Sequence, residues 1–109
     1  MDYRPQERAA RTEALFRETN EAIERGLWPG NRHEAVRFRC ECSHTDCHTI
    51  LRLTVPEYEF IRDNPRRFVV AVGHETPEAE VVVERHDDYL VVEKCGVSGV
   101  EAERLDPRS

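Results

Sequence analysis

The sequence predicts an α+β fold: a long N-terminal helix and one short helix on a mainly antiparallel sheet of about five strands, with a cysteine-rich knuckle at one end. Three observations carry this reading. Residues 5–25 have helical composition, residues 35–95 carry short blocks of Val, Ile, Leu and Phe at strand spacing, and Thr54 with Glu57 marks a helix start between them.

The N-terminal helix opens with Pro5 in its first turn, where a missing N–H is harmless. Glu stands four residues before Arg three times, at Glu7 and Arg11, Glu13 and Arg17, and Glu21 and Arg25, and such pairs support an exposed helix. Its apolar stripe, made of Ala9, Leu15, Phe16, Ala22 and Ile23 with Thr12 and Thr19, is narrow, so the helix is expected to lie on a sheet with its other faces wet. Gly26 suits the left-handed residue that ends it, and Pro29-Gly30 forms the following turn, anchored by Trp28.

The period then changes to alternation. Val36, Phe38, Cys40 and Cys42 share one strand face while Arg37, Arg39 and Glu41 point the other way. A polar loop from Ser43 to His48 leads to a strand at 50–53, and the Thr54/Glu57 capping box opens a helix to about Asp63, closed by Asn64-Pro65. The remainder reads as strand at 67–72, a Gly73 break, and a hairpin of 80–86 and 89–95 turning at Asp87-Asp88. At 109 residues the chain has the size of one metal-binding domain, 1–109, in which the helix occupies 5–25, the knuckle and sheet 35–95, and a polar, loose tail 96–109.

Composition excludes several functions. The net charge of −6 arises entirely in residues 55–109, which suggests one acidic face, and it argues against a non-specific nucleic-acid or anionic-membrane binder. The basic clusters are only Arg37 with Arg39 and Arg66 with Arg67, so direct nucleic-acid binding ranks last. Met1-Asp2-Tyr3-Arg4 is charged with no apolar stretch behind it, which predicts no signal peptide, and the longest apolar run, 68–72, has strand length. The expected location is therefore the cytoplasm, where cysteines are metal ligands, redox groups or core residues more often than disulfides.

The chemistry concentrates in Cys40-Glu41-Cys42-Ser43-His44-Thr45-Asp46-Cys47-His48, with three thiols and two imidazoles in nine residues. Zinc takes thiolate and imidazole ligands in a tetrahedron, and one short segment supplies Cys40, Cys42 and Cys47 at small entropic cost. For the fourth ligand, His74 ranks first, because binding after the Gly73 break ties a strand end back to the loop. Cys95 ranks second and His44, cramped inside the chelate loop, third. His33 and His86 read as surface residues, and Cys95 reads more readily as a core residue than as a ligand.

The stretch 38–42 through Cys47, then 50–54 with Glu57-Tyr58, Pro65, Phe68, Gly73-His74 and 89–94, resembles a family of small bacterial proteins carrying a Cys-x-Cys-x4-Cys…Gly-His motif. The likeness covers roughly residues 12–107. It implies that Cys40, Cys42, Cys47 and His74 belong to one motif, and it implies no activity.

Three functions compete. The first is a small non-enzymatic protein holding structural Zn2+ through Cys40, Cys42, Cys47 and His74, and acting as a regulatory or protein-interaction module with a protein partner. The second is a redox or metal-responsive switch, including an iron–sulfur form, using the same cysteines with Cys95. The third is a small zinc hydrolase with an open coordination position, for which Glu41, Asp46 or Glu75 would supply the base.

Overall fold

A computed structural model describes residues 4–108. The expectation about the leader rests on Met1-Asp2-Tyr3, which lie outside the described residues. Helix α1 spans Arg4–Leu27, followed by β1 (Val36–Arg39), β2 (Ile50–Leu53), α2 (Val55–Arg62), β3 (Arg67–Ala71), β4 (Glu80–Arg85), β5 (Tyr89–Lys94) and α3 (Gly96–Arg104). The α+β class holds, with the five strands divided between two antiparallel sheets, β1-β2 and β3-β5-β4. The sheets meet just beyond β1, where the Glu41 N–H donates to the Val69 carbonyl of β3 at 2.8 Å.

Local signals explain most elements. The capping box forms in full: the Glu57 N–H donates to Thr54 Oγ1 and the Thr54 N–H to Glu57 Oε1, at 3.2 and 2.8 Å. The β4-β5 hairpin turns through Asp87-Asp88, closed by the His86 N–H on the Tyr89 carbonyl. Leu51, Leu53, Tyr58, Phe68, Val69 and Leu90 are buried in one core with Phe38, whose ring stacks on Tyr58 at 4.5 Å.

Three expectations are corrected. Helix α1 runs through Gly26 to Leu27, and the left-handed residue is Gly30 (φ 62°), where a Cβ would lie 2.8 Å from the Leu27 carbonyl oxygen. Trp28 stands 56% exposed rather than buried as an anchor. Most of the segment expected as a loose tail is ordered: residues Gly96–Arg104 form α3, with Ala102 in the core. Its Gly, Ser and Gly are weak helix formers without a side-chain cap, so packing against α1 and β5 holds it, an influence that local propensity does not carry.

The largest difference lies on α1. The stripe expected to be buried leaves Leu15 62% exposed, while the covered face is Ala10, Glu13, Arg17, Asn20, Glu21 and Glu24. The expected Glu13–Arg17 and Glu21–Arg25 pairs give way to distant partners. Lys94 Nζ binds Glu13 and Glu80, and Arg62 joins Glu21 to Asp106 at 2.5 and 2.6 Å. Arg17 donates to the carbonyls of Pro65 and Arg67, with its guanidinium 3.6 Å from the Phe68 ring centre. Acids of the second half, Glu80 and Asp106, are thus buried in ion pairs and do not belong to a solvated acidic face.

Candidate metal centre

The knuckle begins where β1 ends. Alternation puts Phe38, Cys40 and Cys42 inward, all at most 1% exposed. Cys40 donates its N–H to Thr49 across the loop mouth, and the Cys47 N–H donates to the His44 carbonyl at 3.0 Å, closing a turn that brings the third thiol back. Gly73 (φ 90°) ends β3 in a left-handed conformation, and the His74 N–H then donates to the Ala71 carbonyl, a tight reversal that returns the imidazole to the thiols.

Cys40, Cys42, Cys47 and His74 come together so that one donor atom from each lies within 4.8 Å of the others. His74 Nδ1 is 3.5 Å from both Cys40 Sγ and Cys47 Sγ. A zinc tetrahedron, with Zn–S near ~2.3 Å and Zn–N near ~2.1 Å, sets sulfur and nitrogen about 3.6 Å apart, which these two contacts match. The group therefore could hold a metal, and its chemistry, three soft thiols and one imidazole, matches zinc or another thiophilic ion.

Electrostatics within the cluster favour one thiolate. The hydrogen bond from the Cys40 thiol, with weaker help from the His44 N–H and the imidazoles of His74 and His44, holds Cys42 down at about 4. The same bond and burial push Cys40 well up, although the Ala71 N–H, 3.1 Å from Cys40 Sγ, stabilises negative charge there.

The other candidates stay outside the group. Cys95 is exposed at the N-terminus of α3, and His44 is exposed, its ring edge-on to His74 at 6.1 Å. His48, His33 and His86 are exposed. The three acids considered as bases differ: Glu41 is fully buried, Glu75 accepts the Gly73 N–H, and Asp46 is exposed. Of the two basic clusters, Arg66 and Arg67 pair with Glu103 and Glu93, whereas Arg39 donates to the Cys47 carbonyl and Arg37 is exposed.

Behind the thiols lies a polar scaffold that sequence reading missed. Glu41 accepts from Asn20 Nδ2 (2.9 Å), the Tyr58 hydroxyl (2.6 Å) and the Val69 N–H (3.0 Å). Asn20 also bonds both backbone groups of Arg39, taking the place of a neighbouring strand. The available signal was Asn20 itself, a weak helix former in the middle of a helix. This scaffold fixes the backbone on either side of Cys40 and so aims the Cys-x-Cys pair.

Compared with protein-family models, curated proteins and solved structures, the chain matches none of them. Among the described residues, no helix is long and apolar enough to cross a membrane.

Proposed function

We propose that the protein is a non-enzymatic zinc-binding module in which Cys40, Cys42, Cys47 and His74 hold a structural Zn2+, and that the ordered surface serves regulation or contact with a protein partner in the cytoplasm. The observation that carries this reading is the convergence of three thiols and one imidazole within 4.8 Å of one another from three separate segments, the end of β1, the loop and the turn after β3. Four protein donors fill a zinc coordination sphere and leave no position for a reactive water, which favours a structural over a hydrolytic role. The distance of Cys95 from the group removes the fourth thiolate that a four-cysteine iron–sulfur cluster would use. The resemblance to proteins with a Cys-x-Cys-x4-Cys…Gly-His motif points to the same four residues.

Elemental analysis with thiol counting on one sample tests the reading. The expected result is one zinc per chain with only the Cys95 thiol reacting before denaturation. Metal-free protein that melts cooperatively, or a coloured cluster in anaerobic preparations, would overturn it.

A further inference from the structure

Alongside the knuckle, between its loop and the first turns of α1, runs a groove of about 490 Å³. Arg8 and Arg11 line one wall, Ser43 and Thr45 the other, with Thr12 and Ala9 between, and no acidic residue lines it. Arg8 and Arg11 are exposed and have no ion pair or side-chain hydrogen bond among the described residues. Arg11 acts only from a distance on Glu101, whose carboxyl is held low by Arg104 first and Arg11 last. The Thr12 hydroxyl is committed to the Arg8 carbonyl at 3.1 Å, so the free donors of the groove are the two guanidinium groups and the hydroxyls of Ser43 and Thr45.

This placement works against the stability of the bare helix. Arginines three residues apart are neighbours on a helix surface and repel. A bound anion reverses this term, because it bridges the two guanidinium groups. The net charge of −6 weakens attraction for extended polyanions, so a compact anion suits this local basic groove better than a nucleic-acid backbone.

We propose that the groove binds a phosphoryl group, with Arg8 and Arg11 clasping its oxygens and the hydroxyls of Ser43 and Thr45 donating from the opposite wall. The group could arrive as free phosphate or on a phosphoserine side chain of a partner protein. Because Ser43 and Thr45 lie inside the chelate loop, the second wall rests on the zinc reading, whereas the arginine wall does not.

Calorimetric titration of the full chain with the peptide Ala-Ala-phosphoSer-Ala-Ala, its unphosphorylated form and inorganic phosphate tests this, with zinc content measured on the same sample. The expected result is saturable binding of the phosphorylated peptide or of phosphate with Kd at or below about 1 mM, and none of the unphosphorylated peptide. Arg8→Gln and Arg11→Gln should each weaken it at least about fivefold without lowering the melting temperature, while Arg85→Gln on β4 leaves binding unchanged. A peptide at least about tenfold tighter than phosphate marks a phosphorylated partner, and equal affinity marks the free ion. Absence of saturable binding up to about 10 mM, or binding untouched in the Arg8→Gln/Arg11→Gln double variant, overturns the proposal even when zinc is stoichiometric. Arginine-dependent binding by a chain that never holds zinc would instead refute the zinc reading and leave the groove standing.

Discussion

Cys42 and Glu41 are adjacent in sequence and serve opposite sides of the same strand end. The alternation that places Cys42 at the metal cluster sends Glu41 to the far face, where α1 and α2 cover it completely. Removing the carboxylate strands the Tyr58 hydroxyl, the Asn20 amide and the Val69 N–H in the interior. Glu41→Ala is expected to cost about 3–5 kcal/mol in urea unfolding, and Tyr58→Phe about 1–2 kcal/mol. A Glu41→Ala loss below about 1 kcal/mol would show that the scaffold does not support the knuckle. At the cluster itself, if the proposed zinc is held, Cys42→Ser should reduce it from one per chain to a small fraction, read by elemental analysis after gel filtration. Cys40, Cys42 and Cys47 were legible as a group from spacing alone. Glu41 was not, because its three partners come from residues far along the chain.

Among the elements, α2 and the β4-β5 hairpin follow from local chemistry, and Thr54→Ala should cost about 1 kcal/mol through the lost cap. Helices α1 and α3 show the limit of that approach. An apolar stripe reading puts Leu15 inside, yet the structure turns Arg17 and its ion-pairing neighbours inward. Each buried charge is matched by a group from β3, β5, α2 or the C-terminal segment: Arg17 by the carbonyls of Pro65 and Arg67, Glu13 by Lys94, and Glu21 by Arg62 and Arg108. Leu15→Ser is therefore expected to shift stability by less than about 0.5 kcal/mol, whereas Arg17→Ala should cost about 3 kcal/mol or more, compared by urea midpoint. Equal effects would contradict the polar face. For α3, a chain ending at Cys95 loses Asp106 and Arg108 from Arg62 and Glu21, and is expected to melt well below the full chain.

Over the whole molecule two quantities respond to conditions. Burial lifts the Glu13 carboxyl to about 7 against the attraction of Lys94, with Glu80 and, more weakly, Cys42 adding repulsion. A carboxyl raised in the folded state contributes stability that is complete below its ordinary value near 4.5 and disappears as pH rises through about 7. Relative to Glu13→Gln, the native chain should lose up to about 3 kcal/mol across that interval, measured by urea midpoints at successive pH values. A constant difference would refute the shift. The second quantity is the metal of the proposed function, taken as zinc. Structural zinc contributes roughly 10–16 kcal/mol of apparent binding energy, against a net domain stability of about 5–15 kcal/mol. Chelation is therefore expected to abolish the cooperative melting transition, and addition of Zn2+ to restore it.

The α+β class, the capping box, the hairpin and the cysteine spacing were all readable along the chain, because each depends on contacts between residues a few positions apart. The meeting of His74, and not Cys95 or His44, with the three thiols, the inward face of α1 and the existence of α3 are products of folding in three dimensions. The physical reason is common to all three. A periodic pattern reports which residues are apolar, but a buried charge or a fourth metal donor is admissible only where a partner from a distant segment meets it, and that meeting is a property of the assembled molecule.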